Sequence, residues 1–181
     1  MKSKKSTMGK RLYIYLGLGL ALVIAAGIAF AQPFAKPSLA PSATSEAVSA
    51  TGKTASLDKD GNLVIQKAAV GSDAVFVDYD AKGTAMQVIA VKASDGTFRT
   101  AFNTCQVCQG SPYAYFEQSG NKLVCQNCKN QFLMSQVEKE RGGCNPAPIT
   151  AEDKKETADT ITISKEVLDG YAKYFANWKK F

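Results

Sequence analysis

Histidine is missing from all 181 residues of this chain. Its absence removes the commonest general base, the commonest zinc and copper ligand, and every histidine-ligated haem. The haem-attachment signature C-x-x-C-H is excluded too, because Gln109 and Lys129 stand where its histidine belongs. Carboxylates offer no substitute. Asp78 and Asp80 share a face only if their strand runs past Tyr79, and they read as a solvated strand end. Hydrolytic catalysis is therefore not expected, and the chain reads as a carrier or binding protein and not as an enzyme. Acidic residues are lacking from the first eleven positions, where Lys2, Lys4, Lys5, Lys10 and Arg11 supply five positive charges. The net charge is +6, and without those five it falls to +1. The basic balance thus belongs to the N-terminus, and no nucleic-acid partner is expected.

Beyond the basic segment (residues 1–11) lies an apolar run over 12–31, from Leu12 to Ala31. As a helix at about 1.5 Å per residue it matches the ~30 Å core of a bilayer. Basic flanks stay cytoplasmic, so the chain beyond Ala31 is expected outside the cytoplasm. Two fates are open. Ala29-Phe30-Ala31 fits a signal-peptidase site, which would leave a secreted or periplasmic protein cleaved near Ala31. The run exceeds the usual ~7–15-residue signal core, which favours a single-pass membrane anchor. Residues 32–56 are rich in Pro, Ser, Ala and Thr, with almost no large apolar residue after Leu39, and are expected to form a flexible stalk.

Residues 57–181 are expected to fold as one small, mainly β (α+β) domain. Strands are expected at Leu63–Ile65, Ala74–Tyr79, Thr84–Val91 and Phe98–Phe102, with turns at Asp58–Gly61 and Ser94–Gly96. A weak repeat at a shift of 98 positions aligns Ile65 with Ile163 and Phe76 with Tyr174, and is read as two similar edge elements around a central module. Glu152 to Asp159 carries mixed charge and is expected as a solvated loop. Leu168, Tyr171, Phe175 and Trp178 recur at helical spacing, which predicts a short C-terminal helix with a core-facing stripe.

Five cysteines carry the chemistry. Cys105 and Cys108 form one C-x-x-C pair, Cys125 and Cys128 a second after sixteen intervening residues, and Cys144 comes after fifteen more. Two such pairs at this separation are a metal-site pattern. Each places two thiolates on one side of a tight turn, where backbone N–H groups reach the sulfurs, and two facing turns make an S4 cage. Tyr113–Phe116 and Lys122–Val124 are expected as hairpin strands around Ser119-Gly120-Asn121, giving an inserted zinc-ribbon-like knuckle. Zinc, an iron–sulfur cluster and Cu(I) all accept such thiolates. Cys144, in a Gly-Gly-Cys-Asn-Pro turn, either replaces a ligand, acts as an exchange thiol or is a buried small residue. Disulfide and thiol–disulfide exchange readings compete, since an extracytoplasmic compartment is oxidising. Short C-x-x-C loops remove little chain entropy, however, and five cysteines leave one unpaired.

The stretch Asp95–Cys108, with Leu123–Cys128 and Gly142–Pro146, resembles a bacterial family of membrane iron–sulfur-containing proteins similar to the D component of the Ftr iron-transport system. Framing segments Gly61–Tyr79 and Ile161–Trp178 extend the likeness over most of 57–181. The resemblance implies a membrane-associated iron–sulfur or other metal protein, passing electrons or handling metal in iron uptake beside a redox or transport partner in the membrane. Cys105, Cys108, Cys125, Cys128 and Cys144 match the family's cysteines. Asn103 departs from the acidic residue that members often carry before the first pair. A binding or assembly module built on structural zinc is the alternative from another class.

Overall fold

A computed structural model describes residues 54–181. The basic segment, the apolar run and the stalk up to residue 53 lie outside the described residues. Among those described, no helix is long and apolar enough to cross a membrane.

The chain builds three antiparallel sheets. The first uses β1 (Ala55–Leu57), β2 (Leu63–Gln66), β10 (Lys154–Glu156) and β11 (Thr160–Ile163), in the order β1-β2-β11-β10. The second is β3 (Val75–Ala81), β4 (Thr84–Lys92), β5 (Phe98–Cys105) and β9 (Pro146–Ile149), in chain order. The third is the small meander β6 (Phe116–Ser119), β7 (Lys122–Cys125) and β8 (Gln131–Leu133). Helix α1 (Lys165–Tyr171) and a 3₁₀ turn (Ala172–Phe175) close the chain. The domain is therefore mainly β with a short C-terminal helix, and β1 takes in two residues expected in the stalk.

Local chemistry sets the turns. Asp58 Oδ1 accepts from the N–H groups of Asp60 and Asn62, tightening the β1–β2 turn. Lys82 and Gly83 both have positive φ, at 54° and 88°, as the two-residue turn between β3 and β4 requires. Ser164 caps α1 by accepting from Val167 N–H at 3.3 Å.

The second sheet is the middle layer, and β4 is its spine. Met86, Val88 and Ala90 face a core shared with Leu63, Ile65, Ile161, Ile163 and Leu168. Ile89 and Val91, on the opposite face, join a second core with Phe116, Leu123 and Phe132. Burial on both faces explains why β4 reads as a nearly unbroken apolar run. Full burial of each such side chain contributes about 1.5–3 kcal/mol. Phe102 points into the first core, where it stacks on Tyr171 at 4.1 Å between ring centroids. The C-terminal stripe packs there as well, with Leu168, Phe175 and Trp178 all buried.

Three expectations are corrected. The near-repeat does not mark edges: β2 and β11 are the two central strands of the first sheet, with Ile65 opposite Ile161 and Leu63 opposite Ile163. The segment expected as a solvated loop contains β10, and Lys154 is buried because Glu138 and Glu156 meet its ammonium at 2.6 and 3.2 Å. The strand expected from Tyr113 begins at Phe116, since Ser111 to Tyr113 turn the chain after the first cysteine pair. The strand at Asp78 does run on to Ala81. Asp78 and Asp80 both stay exposed and serve the fold, accepting from Gln87 Nε2 and Gly83 N–H.

Candidate metal centre

The two C-x-x-C turns are built alike, each starting from the last residue of a strand. Cys105 ends β5 after a bulge between Phe102 and Cys105, and Cys125 ends β7. Both side chains belong to the second core and are 0% exposed. In each case the backbone then turns so that N–H groups point at the buried sulfur. Cys108 N–H donates to Cys105 Sγ at 3.4 Å, with Val107 N–H beside it. Asn127 and Cys128 N–H groups do the same for Cys125. The second turn is completed by Lys129 at φ 62°, whose N–H donates to Cys125 O at 2.9 Å. Cys108 is half-buried and Cys128 exposed, so the thiols grade from core to solvent.

One buried amide holds these turns together. Asn103 Oδ1 accepts from Phe116 N–H at 2.7 Å, and Asn103 Nδ2 donates to Phe116 O at 3.2 Å and to Gln87 Oε1 at 2.7 Å. That side chain acts as a piece of strand between the middle sheet and the meander. It fixes the distance between the ends of β5 and β7, where Cys105 and Cys125 sit. Trp178 Nε1–H donates to the Asn103 carbonyl at 2.8 Å, which ties the C-terminus to the same point. Ser111 Oγ donates to Asn127 Oδ1 at 2.7 Å, joining the two turns directly.

Cys144 arrives from a separate loop through Gln106, the residue after Cys105. Gln106 N–H donates to Asn145 O at 3.1 Å, its Nε2 donates to Pro146 O at 3.2 Å, and its Oε1 accepts from Gly142 N–H at 3.1 Å. Gly142 and Gly143 have φ of 78° and 67°, a consecutive left-handed pair that only glycine adopts readily. Sequence reasoning singled out all five cysteines and passed over Gln106 and Asn127. Their signal was present as amide side chains at the x positions of the C-x-x-C pairs.

The sulfurs fall into two groups of three, Cys105, Cys108 and Cys125 within 4.8 Å of one another and Cys108, Cys128 and Cys144 likewise. All five cysteines are free thiols. Burial raises the pKa of Cys105 and of Cys125. Burial also works against ionisation of Cys128, but the Asn130 N–H and the thiols of Cys144, Cys125 and Cys108 outweigh it and bring Cys128 to about 7. Cys144 rises to about 11, mainly because its thiol donates to Cys128 and partly through burial. Cys128 is thus the thiol most readily ionised among neighbouring S–H donors, and a thiophilic cation stabilises the thiolates as it displaces the protons. Five soft donors with N–H groups aimed at the sulfurs, and no imidazole, suit an iron–sulfur group, zinc or Cu(I).

Beside the first turn a cleft of about 170 Å³ is lined by Thr104, Gln106, Gln109, Tyr171 and Tyr174 among others. Thr104 Oγ1 is buried and finds no hydrogen-bond partner among the described residues.

No curated protein and no solved structure matches this chain. The sequence model of one family, described as membrane iron-sulfur containing protein FtrD-like, matches residues 59–175, a span that includes every cysteine.

Proposed function

Because the chain belongs to the FtrD-like family of membrane iron–sulfur-containing proteins, we propose that it is a membrane-associated electron carrier serving iron uptake. Cys105, Cys108, Cys125, Cys128 and Cys144 are the residues to hold the metal group, which when bound supplies one-electron chemistry. The supporting observation is the gradation of the sulfurs, from Cys105 and Cys125 in the core to Cys128 at the surface. Buried thiolates with N–H donors hold the group firmly, and a surface-exposed sulfur gives a partner a short route to it.

The chain's own residues do the positioning. Asn103 sets the separation of the two turns, Gln106 holds the Cys144 loop against the first turn, and Ser111 with Asn127 locks turn to turn. On this reading the apolar N-terminal run anchors the chain with the domain outside the cytoplasm, and a redox or transport protein in the membrane is the partner. Structural zinc has one feature in its favour, since sulfurs within 4.8 Å of one another suit single ions.

The test is iron, sulfide and zinc analysis with a visible spectrum on the full chain purified without oxygen. Iron with inorganic sulfide, and a band that bleaches reversibly on reduction, is the expected result. Zinc alone with no visible band overturns electron transfer and leaves an assembly module. Oxidised thiols without metal turn the reading to thiol–disulfide exchange.

A further inference from the structure

Five thiols are one more than a single tetrahedral ion takes, and the way they group shows where the fifth goes. We propose that the cluster holds two metal ions bridged by the Cys108 thiolate. An inner ion sits on Cys105, Cys108 and Cys125, and an outer ion on Cys108, Cys128 and Cys144. The proposal rests on reading the cluster as a metal centre.

Metal–thiolate bonds of about 2.3 Å put two sulfurs on one ion roughly 3.8 to 4.6 Å apart. Each group of three lies within 4.8 Å, so small side-chain adjustments bring each to single-ion spacing. Cys108 belongs to both groups. A thiolate sulfur has lone pairs for two metals, so one side chain can complete both sites. The grouping also crosses the sequence pairs, with Cys128 beside Cys144 and Cys125 beside Cys105. The fold explains why. Gln106 fastens the Cys144 loop to the very turn that carries Cys108, so the outer set assembles around that sulfur.

The two positions differ in access. Two of the inner sulfurs are buried in the core, and the outer set contains the exposed Cys128. Three thiolates leave each ion one coordination position. The inner one is enclosed by the core, whereas the outer one opens to solvent, as an exchange site requires. On binding, each thiol releases its proton to solvent and becomes a thiolate. The count and the bridge are open to iron, zinc or cadmium alike.

The full chain, titrated with cadmium without oxygen and weighed by native mass spectrometry, is expected to take up two ions. Cys144→Ser removes one outer ligand and should bind one ion, and Cys125→Ser should lose the inner ion instead. NMR of the spin-active cadmium isotope should show two resonances, each split by the other through the shared sulfur. Cys144→Ser should leave a single unsplit line, and because Cys144 is only half-buried, at the margin of the second core, the variant keeps its fold. One ion in the native chain, unchanged by Cys144→Ser, overturns the two-ion site but leaves the metal centre standing. Two unsplit resonances overturn the bridge. No bound ion at all overturns both the bridge and the metal-centre reading beneath it.

Discussion

Replacing Asn103 by alanine tests whether one amide holds the cysteine meander to the middle sheet. The side chain makes three hydrogen bonds, to Gln87 Oε1 at 2.7 Å, to Phe116 O at 3.2 Å and from Phe116 N–H at 2.7 Å. Asn103 and Phe116 are fully buried, so water cannot take the amide's place without opening the interface. Each buried group left unpaired costs about 1–3 kcal/mol, and with three groups and some relaxation a loss of about 3–6 kcal/mol is expected. Against a typical total of about 5–15 kcal/mol this is a large fraction. Urea unfolding monitored by fluorescence reads it directly. The chain has one tryptophan, Trp178, and its indole N–H donates to the Asn103 carbonyl, so the probe sits at the site. Asn103→Asp serves as the partner experiment. Its carboxylate still accepts from Phe116 N–H but cannot donate to the two oxygens, so it is destabilising at neutral pH. Burial raises the carboxyl pKa in the folded state. Stability should therefore recover as pH falls, when the protonated acid regains a donor, and should be lost again as pH rises. A loss below about 1 kcal/mol for the alanine variant would refute the role assigned to this amide.

Gln106→Ala should loosen the Cys144 loop by removing its side-chain links at 3.1 and 3.2 Å, while the backbone link to Asn145 O stays. Alkylation of Cys144 in the metal-free chain should speed up while that of the buried Cys105 stays unchanged, as mass mapping of the labelled thiols will read. Glu138→Gln removes the carboxylate that meets buried Lys154 at 2.6 Å and accepts from Thr100 N–H at 2.9 Å. Leaving that ammonium with Glu156 at 3.2 Å as its remaining carboxylate should cost about 1–3 kcal/mol in thermal or urea unfolding, whereas Lys154→Met paired with Glu138→Gln should recover much of the loss. Glu156 titrates below its ordinary 4.5, because hydrogen bonds and charge from Lys67 and Lys154 outweigh the burial that pushes it up. A depressed carboxyl stabilises the fold above its unfolded pKa and loses that contribution as pH falls through the folded one. Unfolding free energy should therefore decline on acidification below about pH 4.5, and the slope should flatten in Glu156→Gln.

Much of this fold was legible because its signals are local. The strands around Leu63, Val77, Val88 and Phe102 show themselves by apolar pattern and bounding turns, and the Gly120–Asn121 turn by its residues. The C-terminal stripe was readable from spacing alone. Strand β9 was hidden because Pro146 and Pro148 forbid a central strand. It survives at the edge of its sheet, where two prolines at the same parity can turn their missing N–H groups outward. Strand β10 was hidden because Lys154 and Glu156 look solvated until Glu138, sixteen positions away, supplies a partner. For the site, thiol chemistry and spacing pointed to all five cysteines. Their division into threes depends on how Gln106 and Asn103 dock distant segments, which no spacing encodes.

The first sheet joins opposite ends of the domain, since Ile65 pairs with Ile161 ninety-six positions later. The meander pairs residues only about a dozen positions apart, such as Lys122 with Leu133. Local pairing forms on the microsecond scale, whereas long-range closure waits for its distant strand. During synthesis the chain emerges from its N-terminal end, so all five thiols are made before β11 exists to complete the first core. Cys105 and Cys125 belong to the second core, whose members from Ile89 to Val137 are all made by then, so their enclosure does not wait for β11. The thiol site can close around its metal while the first core still lacks its last strands.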